Sequence, residues 1–302
     1  RRSSSSTMPR IPMIQDPQYK NSLTTFIDIL GFRNLVGTRS GAEIKNIIDL
    51  LHYIGDVDAD DHPHTIGKQS DLGLYVTAFS DSVVRVQDAD QPGGLFHELL
   101  AIVHMQASLV YKGVFLRGGV AFGTMFAEHR VLFGDGLIQA YDLESKGACN
   151  PRILVDGPVL TALHSGNARS RHSVLEERTY IDDLIAEDED GKHFVDYLRA
   201  YKTELDEPAY DYPAFLGHHK NAIQTGHATA EGNRRVQKKF EWLARYHNQV
   251  VAGLEGEHQE LLVPPLDSPR RPRWNRFFDA ACRFGSRWLG ITCGPAAPGP
   301  RP

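Results

Sequence analysis

The chain opens its ordered pattern with an apolar run, Leu23 to Phe32, of strand length, in which Asp28 is the one charged position before Gly31 ends it. Ser40 then stands as an N-cap before Gly41 to Ile54, where Ile44, Ile47, Ile48, Leu51 and Ile54 recur at helical spacing. Gly55 to Asp71 is polar and acidic, with a His62-Pro63-His64 kink, and reads as a loop. Leu72 to Phe79 and Val83 to Gln87 read as two strands around a hairpin tip, Ser80-Asp81-Ser82. Leu95 to Tyr111 is a strong helix stopped by Gly113. Val114 to Phe122 is a further strand, in which Gly118, Gly119 and Gly123 allow close backbone approach.

This order, β-α-β-β-α-β, predicts an α+β fold: a ferredoxin-like core with both helices on one face of an antiparallel sheet, followed by added strands and helices. In that topology the first strand lies beside the third. The tip carrying Asp81 therefore projects next to the end of the strand carrying Asp28. Beyond the core, Val131 to Phe133 reads as a short strand, Gly136 to Lys146 as a helix and Arg152 to Val155 as a strand. An acidic turn, Glu187 to Gly191, precedes a strand from His193 to Leu198. Ala214 to Leu254 is helical in pattern, broken near Gly226 or Gly232. Residues 1–19 read as a disordered extension, about 20–258 as the folded domain with its core in 20–160, and 259–302 as a Pro/Arg-rich tail carrying an amphipathic piece, Trp274 to Leu289.

Composition changes this picture little. The chain has 302 residues, 24% of them charged, and a net charge of −5, so nothing global points to nucleic acid. Three scattered cysteines, Cys149, Cys282 and Cys293, form no metal or disulfide framework and fit a reducing compartment. No run of about 18 apolar residues is present, so no membrane span is expected.

The chemistry lies in the two aspartates. A carboxylate removed from water without a partner is costly, so Asp28 and Asp81 each require a cation, a donor network or solvent. On neighbouring strands, the two could share a divalent metal pair; hard oxygen ligands favour Mg²⁺ or Mn²⁺. Arg117, in a strand of apolar residues and glycines, is either a surface ion-pair partner or a phosphate- or carbonyl-binding fork. Tyr75 and Thr77 share a strand face toward Asp81 and either line a pocket or belong to the core. The basic run Arg234, Arg235, Lys238 and Lys239 is a solvated face, or a source of one lysine for phosphate oxygens.

The phrase Phe26-Ile27-Asp28-Ile29-Leu30-Gly31-Phe32 resembles the first metal motif of the class III nucleotidyl cyclases, and Ser80-Asp81 stands where that family has its second metal aspartate. Phe115 to Gly123 is similar to the family's glycine-ended strand, and Phe133-Gly134 to its aromatic-glycine pair. The resemblance covers about residues 20–160 and is strongest to the bacterial pyrimidine cyclases of the Pycsar anti-phage systems. It departs from purine cyclases at three places. Ile138 and Asp142 stand where those enzymes carry a transition-state asparagine and arginine, and Thr77 stands at the position that reads the purine base.

The resemblance implies a bacterial cytoplasmic homodimer that converts UTP to 3′,5′-cyclic UMP. Its metals would be held by Asp28, Asp81 and the Ile29 carbonyl. Phe26, Tyr75, Thr77 and Arg117 would contact nucleotide, with Arg117 also catalytic and facing the metal side of the other chain. A separate effector would read the product. Cytidylate or purine cyclisation, or a catalytically inactive nucleotide-binding module, are the alternatives.

Overall fold

The alternation of buried positions in the first strand, β1 (Lys20–Ile29), sets up the whole molecule. Leu23, Thr25, Ile27 and Ile29 are buried on one face, while Thr24, Phe26 and Asp28 point to the other. The computed structural model describes residues 18–51, 68–69, 73–91, 93–128, 131–165, 173–254 and 258–266. The chain through Val263 forms one compact unit. The loop around His62 and the Trp274 to Leu289 piece lie outside the described residues.

Gly31, with φ of +74°, ends β1 in a left-handed conformation and starts α1 (Phe32–Thr38), so Gly31 and Phe32 leave the strand. This short helix has no buried residue, which is why no apolar period announced it. Helix α2 (Gly41–Leu51) begins at Ser40, whose backbone N–H and hydroxyl both donate to Glu43, while the Glu43 N–H returns a bond to the Ser40 hydroxyl. The short strand β2 (Lys68–Gln69) pairs with β3 (Leu74–Phe79), and β3 turns at Ser80-Asp81 into β4 (Ser82–Asp88). Ser80 carries a positive φ of 59° to make that turn. Helix α3 (Gly94–Val110) stops at Gly113, and β5 (Leu116–Glu128) follows. The latter strand runs six residues past Phe122 because its end pairs with β6 (Val131–Gly134).

Among the described residues, nine strands form one sheet in the order β2-β3-β4-β1-β5-β7-β9-β8, with β6 on the end of β5. Strand β1 is antiparallel to both β4 and β5. The β5–β7 (Ile153–Val155) pair is parallel; the other pairs are antiparallel. Helix α3 covers the face of β1 that carries Thr25, where a buried ion pair links sheet and helix. The Arg85 Nε–H donates to Glu98 Oε1 at 2.8 Å, its Nη2 to Oε2 at 2.9 Å, and Thr25 Oγ1 adds a third bond at 2.9 Å.

The opposite face receives α4 (Asp135–Asp142), which continues as a π-helical turn, Leu143–Gly147, in place of the expected single helix to Lys146. A side chain on Gly119 would sit 2.4 Å from Leu143 Cβ and 2.6 Å from the Ala140 carbonyl, so this contact exists only with glycine there. Three elements without a strong periodic signature follow: α5 (Gly157–Ser165), α6 (Val174–Asp182) and β8 (Ile185–Glu187). Strand β9 (His193–Val195) is cut short, because Asp196 caps α7 (Tyr197–Tyr201) by accepting from the Arg199 N–H. The long helical stretch is α8 (Pro208–Thr229) and α9 (Arg234–Ala252), broken at Gly232 with φ of +82°, while Gly226 stays helical.

Helices α7, α8 and α9 share a buried polar chain. His247 Nε2 lies 2.9 Å from the Leu261 carbonyl and must carry its proton there. Its Nδ1 then accepts from His219 Nδ1 at 3.0 Å, and His219 Nε2 accepts from the Tyr197 hydroxyl at 2.7 Å. Burial disfavours a charge on either ring, and with both neutral every ring nitrogen is used. Among the described residues, no helix is long and apolar enough to cross a membrane.

Candidate functional site

The register of β3, β4, β1 and β5 places Phe79, Ser82, Asp28 and Arg117 on one rung, all on the sheet face away from α3. The next rung holds Thr77, Val84, Phe26 and Gly119, and the one after it Tyr75, Val86, Thr24 and Ala121. Asp81 sits at the hairpin tip beside the first rung. Its carbonyl accepts from the Ile29 N–H at 3.2 Å, so the tip is tied by backbone to the end of β1. The two aspartates are close enough that the charge of Asp81 raises the Asp28 pKa.

Asp28 has a partner within its own chain, which the sequence reading did not supply. Arg117 Nη2 donates to Asp28 Oδ2 at 3.0 Å across the β1–β5 pair. Burial pushes the Asp28 carboxyl up, and Arg117 acts against that push. The same Arg117 nitrogen also forms an ion pair with Glu144, from the π-helical turn. The Glu144 side chain is 5% exposed, and burial raises its pKa. The Arg117 Nε–H is buried without a hydrogen-bond acceptor among the described residues.

A second cation comes from outside the core. Helix α9 packs Phe240 edge-on to Phe115 just before β5, and the adjacent Lys239 turns toward Arg117, Asp28 and Glu144. Burial first, then Arg117 and Arg235, hold the Lys239 ammonium below its usual range. Lys238, its neighbour in the basic run, is exposed.

The remaining predicted residues divide. Phe26 lies on the site face, edge-on to Tyr141 at 5.3 Å between ring centroids. Thr77 is half-buried one rung from Asp28. Tyr75 is 4% exposed, packed against Val86 and Met125, and shares a hydrogen bond with Thr77. It is thus in an apolar cluster behind the site rather than at its opening. Ile138 is 64% exposed and Asp142 pairs with Lys146, so neither faces the aspartates. Two residues of the site were missed in sequence. Glu144 was passed over, although it stands four residues after Ala140 and seven after Leu137, on the helix face turned to the sheet. Phe79, 86% exposed on the rung of Asp28, was legible as an apolar residue at a hairpin tip.

The donor set suits a hard divalent cation: one carboxylate at the end of β1 and one at the neighbouring hairpin tip, with the Arg117 guanidinium already standing as a cation against the first. Among the described residues no three acidic, histidine or cysteine side chains converge as a ready-made metal site. Asp28 would accept such an ion as Arg117 withdraws from it.

No protein-family model matches the chain, and no curated protein matches it. Among solved structures, a bacterial light-regulated adenylyl cyclase aligns with a TM-score of 0.36 and 14% identity, over 56% of this chain and 58% of that one. The chain thus spans somewhat over half the length of that protein, and a likeness this slight carries no functional argument.

Proposed function

We propose that the chain is a nucleotidyl cyclase with a ferredoxin-like core of the class III type, closing UTP to 3′,5′-cyclic UMP and pyrophosphate. The observation that carries this reading is the backbone-tied pair: Asp28 near the end of β1 and Asp81 at the hairpin tip beside it, with the Ile29 N–H bonded to the Asp81 carbonyl and two cations, Arg117 and Lys239, turned toward Asp28. In the reaction the ribose 3′-oxygen bonds to the α-phosphorus, the bond from that phosphorus to the bridging β-phosphate oxygen breaks to release pyrophosphate, and the hydroxyl proton passes to solvent water. Asp28, Asp81 and the Ile29 carbonyl would hold Mn²⁺ or Mg²⁺, and ions bound there supply Lewis acidity to the hydroxyl and charge neutralisation to the leaving pyrophosphate. Arg117 and Lys239 stabilise charge on the phosphates, replacing the asparagine and arginine that α4 lacks. Phe26 and the exposed Phe79 flank the base, and Thr77, oriented by Tyr75, serves as its hydrogen-bonding partner. A homodimer would cover the open sheet face, where Ile138, Tyr141 and Phe133 are also exposed. The cyclic nucleotide would act through a separate effector in anti-phage defence within the bacterial cytoplasm.

One observation favours a second reading. Arg117 on Asp28 would suit a catalytically silent nucleotide-binding module, in which a fixed ion pair has replaced the metal. Incubation with each of the four ribonucleoside triphosphates and Mn²⁺, with products identified by mass, separates the two. Cyclic UMP as the main product supports the cyclase, cyclic AMP or GMP as the main product refutes the base assignment, and no cyclic product from any triphosphate supports the silent module.

A further inference from the structure

Arg117 is held in an unusual way. An arginine that serves only to neutralise a carboxylate uses its planar fork, with two nitrogens on two oxygens. Here a single nitrogen, Nη2, serves both Asp28 on β1 and Glu144 on the π-helical turn, and the buried Nε–H is left without an acceptor. The Glu144 side chain is 5% exposed, so its ionised form depends on a cation within the protein. Among the described residues Arg117 is its one ion-pair partner. It is brought there by two local features. Position 144 lies one turn after the buried Ala140, on the helix face turned to the sheet, and Gly119 lets the turn's backbone settle on β5 two residues from Arg117.

A guanidinium on Asp28 and a metal ion on Asp28 compete for the same lone pairs. When the ion wins, Arg117 must not be left as a buried charge without a partner, because that state is strongly unfavourable. A second carboxylate already touching the same nitrogen removes the difficulty: Arg117 moves from one oxygen to the other without passing through an unpaired state.

We propose that Glu144 is a positioning residue, a docking carboxylate that takes Arg117 off Asp28 as a divalent cation binds and holds it at the edge of the site, facing the phosphates. The inference rests on the metal reading of Asp28 and Asp81 given above. It makes Arg117 an internal competitor for the metal, and makes the metal affinity of the chain a property of Glu144 as well as of the two aspartates.

The test is direct binding of Mn²⁺ alone to the full chain, followed by titration calorimetry and by loss of the free-ion signal in electron paramagnetic resonance. Glu144→Gln, nearly isosteric, should weaken Mn²⁺ binding at least about 10-fold, because Arg117 then has only Asp28 to pair with. Arg117→Ala alone should bind Mn²⁺ several-fold more tightly than the wild type. The double variant, Glu144→Gln with Arg117→Ala, should return to wild-type affinity or above, since no competitor remains. Unchanged binding in Glu144→Gln overturns the proposal. So does a double variant as weak as Glu144→Gln, because Glu144 would then act on the ion itself and not through Arg117. Should Glu144→Gln fail to fold by circular dichroism, the Arg117→Ala measurement decides alone, and unchanged or weaker binding there overturns the proposal. A wild-type chain that binds no Mn²⁺ is a different result: it refutes the metal reading of the aspartates, and this inference falls with it.

Discussion

Two arginine–carboxylate clusters lie on opposite faces of the same sheet, one strand apart on either side of β1. Arg85 on β4 faces α3 and is 1% exposed; it binds Glu98 through two nitrogens, and Thr25 completes the acceptor. Arg117 on β5 faces α4, is 22% exposed, and binds Asp28 and Glu144 through one nitrogen with another left over. The residue types are the same, and their satisfaction differs. A closed, bidentate, dry cluster fixes a helix to a sheet and has nothing left to offer a ligand. An open one, with a shared nitrogen and two carboxylates of different elements, keeps the capacity to rearrange.

The comparison breaks first at Asp28. Asp28→Ala or Asp81→Ala should abolish cyclic UMP formation, by more than the roughly 100-fold loss that follows removal of a metal ligand's outer partner. Each should shift unfolding stability by less than about 1 kcal/mol, as a partly solvated pair predicts. Mass analysis of products alongside urea unfolding tests both parts, and near-normal turnover in either variant would sink the mechanism. The mirror experiment is Glu98→Ala. It strands a buried guanidinium and should cost about 3–5 kcal/mol of stability, read from the urea midpoint, before any change in chemistry is considered.

Gly119→Ala probes the seam between the two functions. Its Cβ would meet the Ala140 carbonyl and Leu143 Cβ well inside contact distance, at a cost of about 1–3 kcal/mol by overpacking. It should also weaken Mn²⁺ binding by lifting Glu144 away from Arg117; stability and affinity that both stay unchanged would count against the packing described. Acid provides a slower lever on the scaffold. His219 is held well below its usual pKa, chiefly by burial, and His247 is lowered by burial as well. The unfolded chain thus binds protons that the folded one refuses. Stability is full above about pH 6.5 and falls as pH drops below it, by about 1.4 kcal/mol per unit for each ring that is still neutral. Urea midpoints between pH 7 and 5 measure this, and His219→Gln should flatten the slope. The smallest effect belongs to Thr25→Val, which removes one bond to Glu98 and should cost about 1 kcal/mol in the same unfolding assay.

Much of the core was legible because its signals are local. Asp28 stood out as a charge in a strand-length apolar run, Asp81 as the centre of a hairpin tip, and Gly118-Gly119 as a place where backbone comes close. Ser40 announced a helix start, and the structure adds Glu43 as the other half of a reciprocal cap. What was not legible depends on tertiary register. That Arg117 faces Asp28 follows from a pairing of residues 89 positions apart, and no local pattern encodes it. That Glu144 faces inward could be read from its helical spacing to Ala140; that Arg117 lies opposite it could not, because this too depends on the fold. Lys239 was visible only as one of four basic residues, and the helical phase fixed by Val236, Phe240 and Leu243 decides that it, and not Lys238, turns inward. Helices α5 and α6 were missed because their apolar faces are weak and partly supplied by neighbours.

The bond from the Ile29 N–H to the Asp81 carbonyl sets the separation of the two aspartates through main-chain atoms, which are the same whatever side chains surround them. The acid pair is therefore insulated from change at Thr77, Phe79 and Phe26, which the proposed function sets beside the base, and at Tyr75 behind them. In the proposed cyclase, base preference could then change at those positions without each change having to rebuild the acid pair. In that reading, the group that selects the substrate and the spacing of the two acids are separable properties of one sheet.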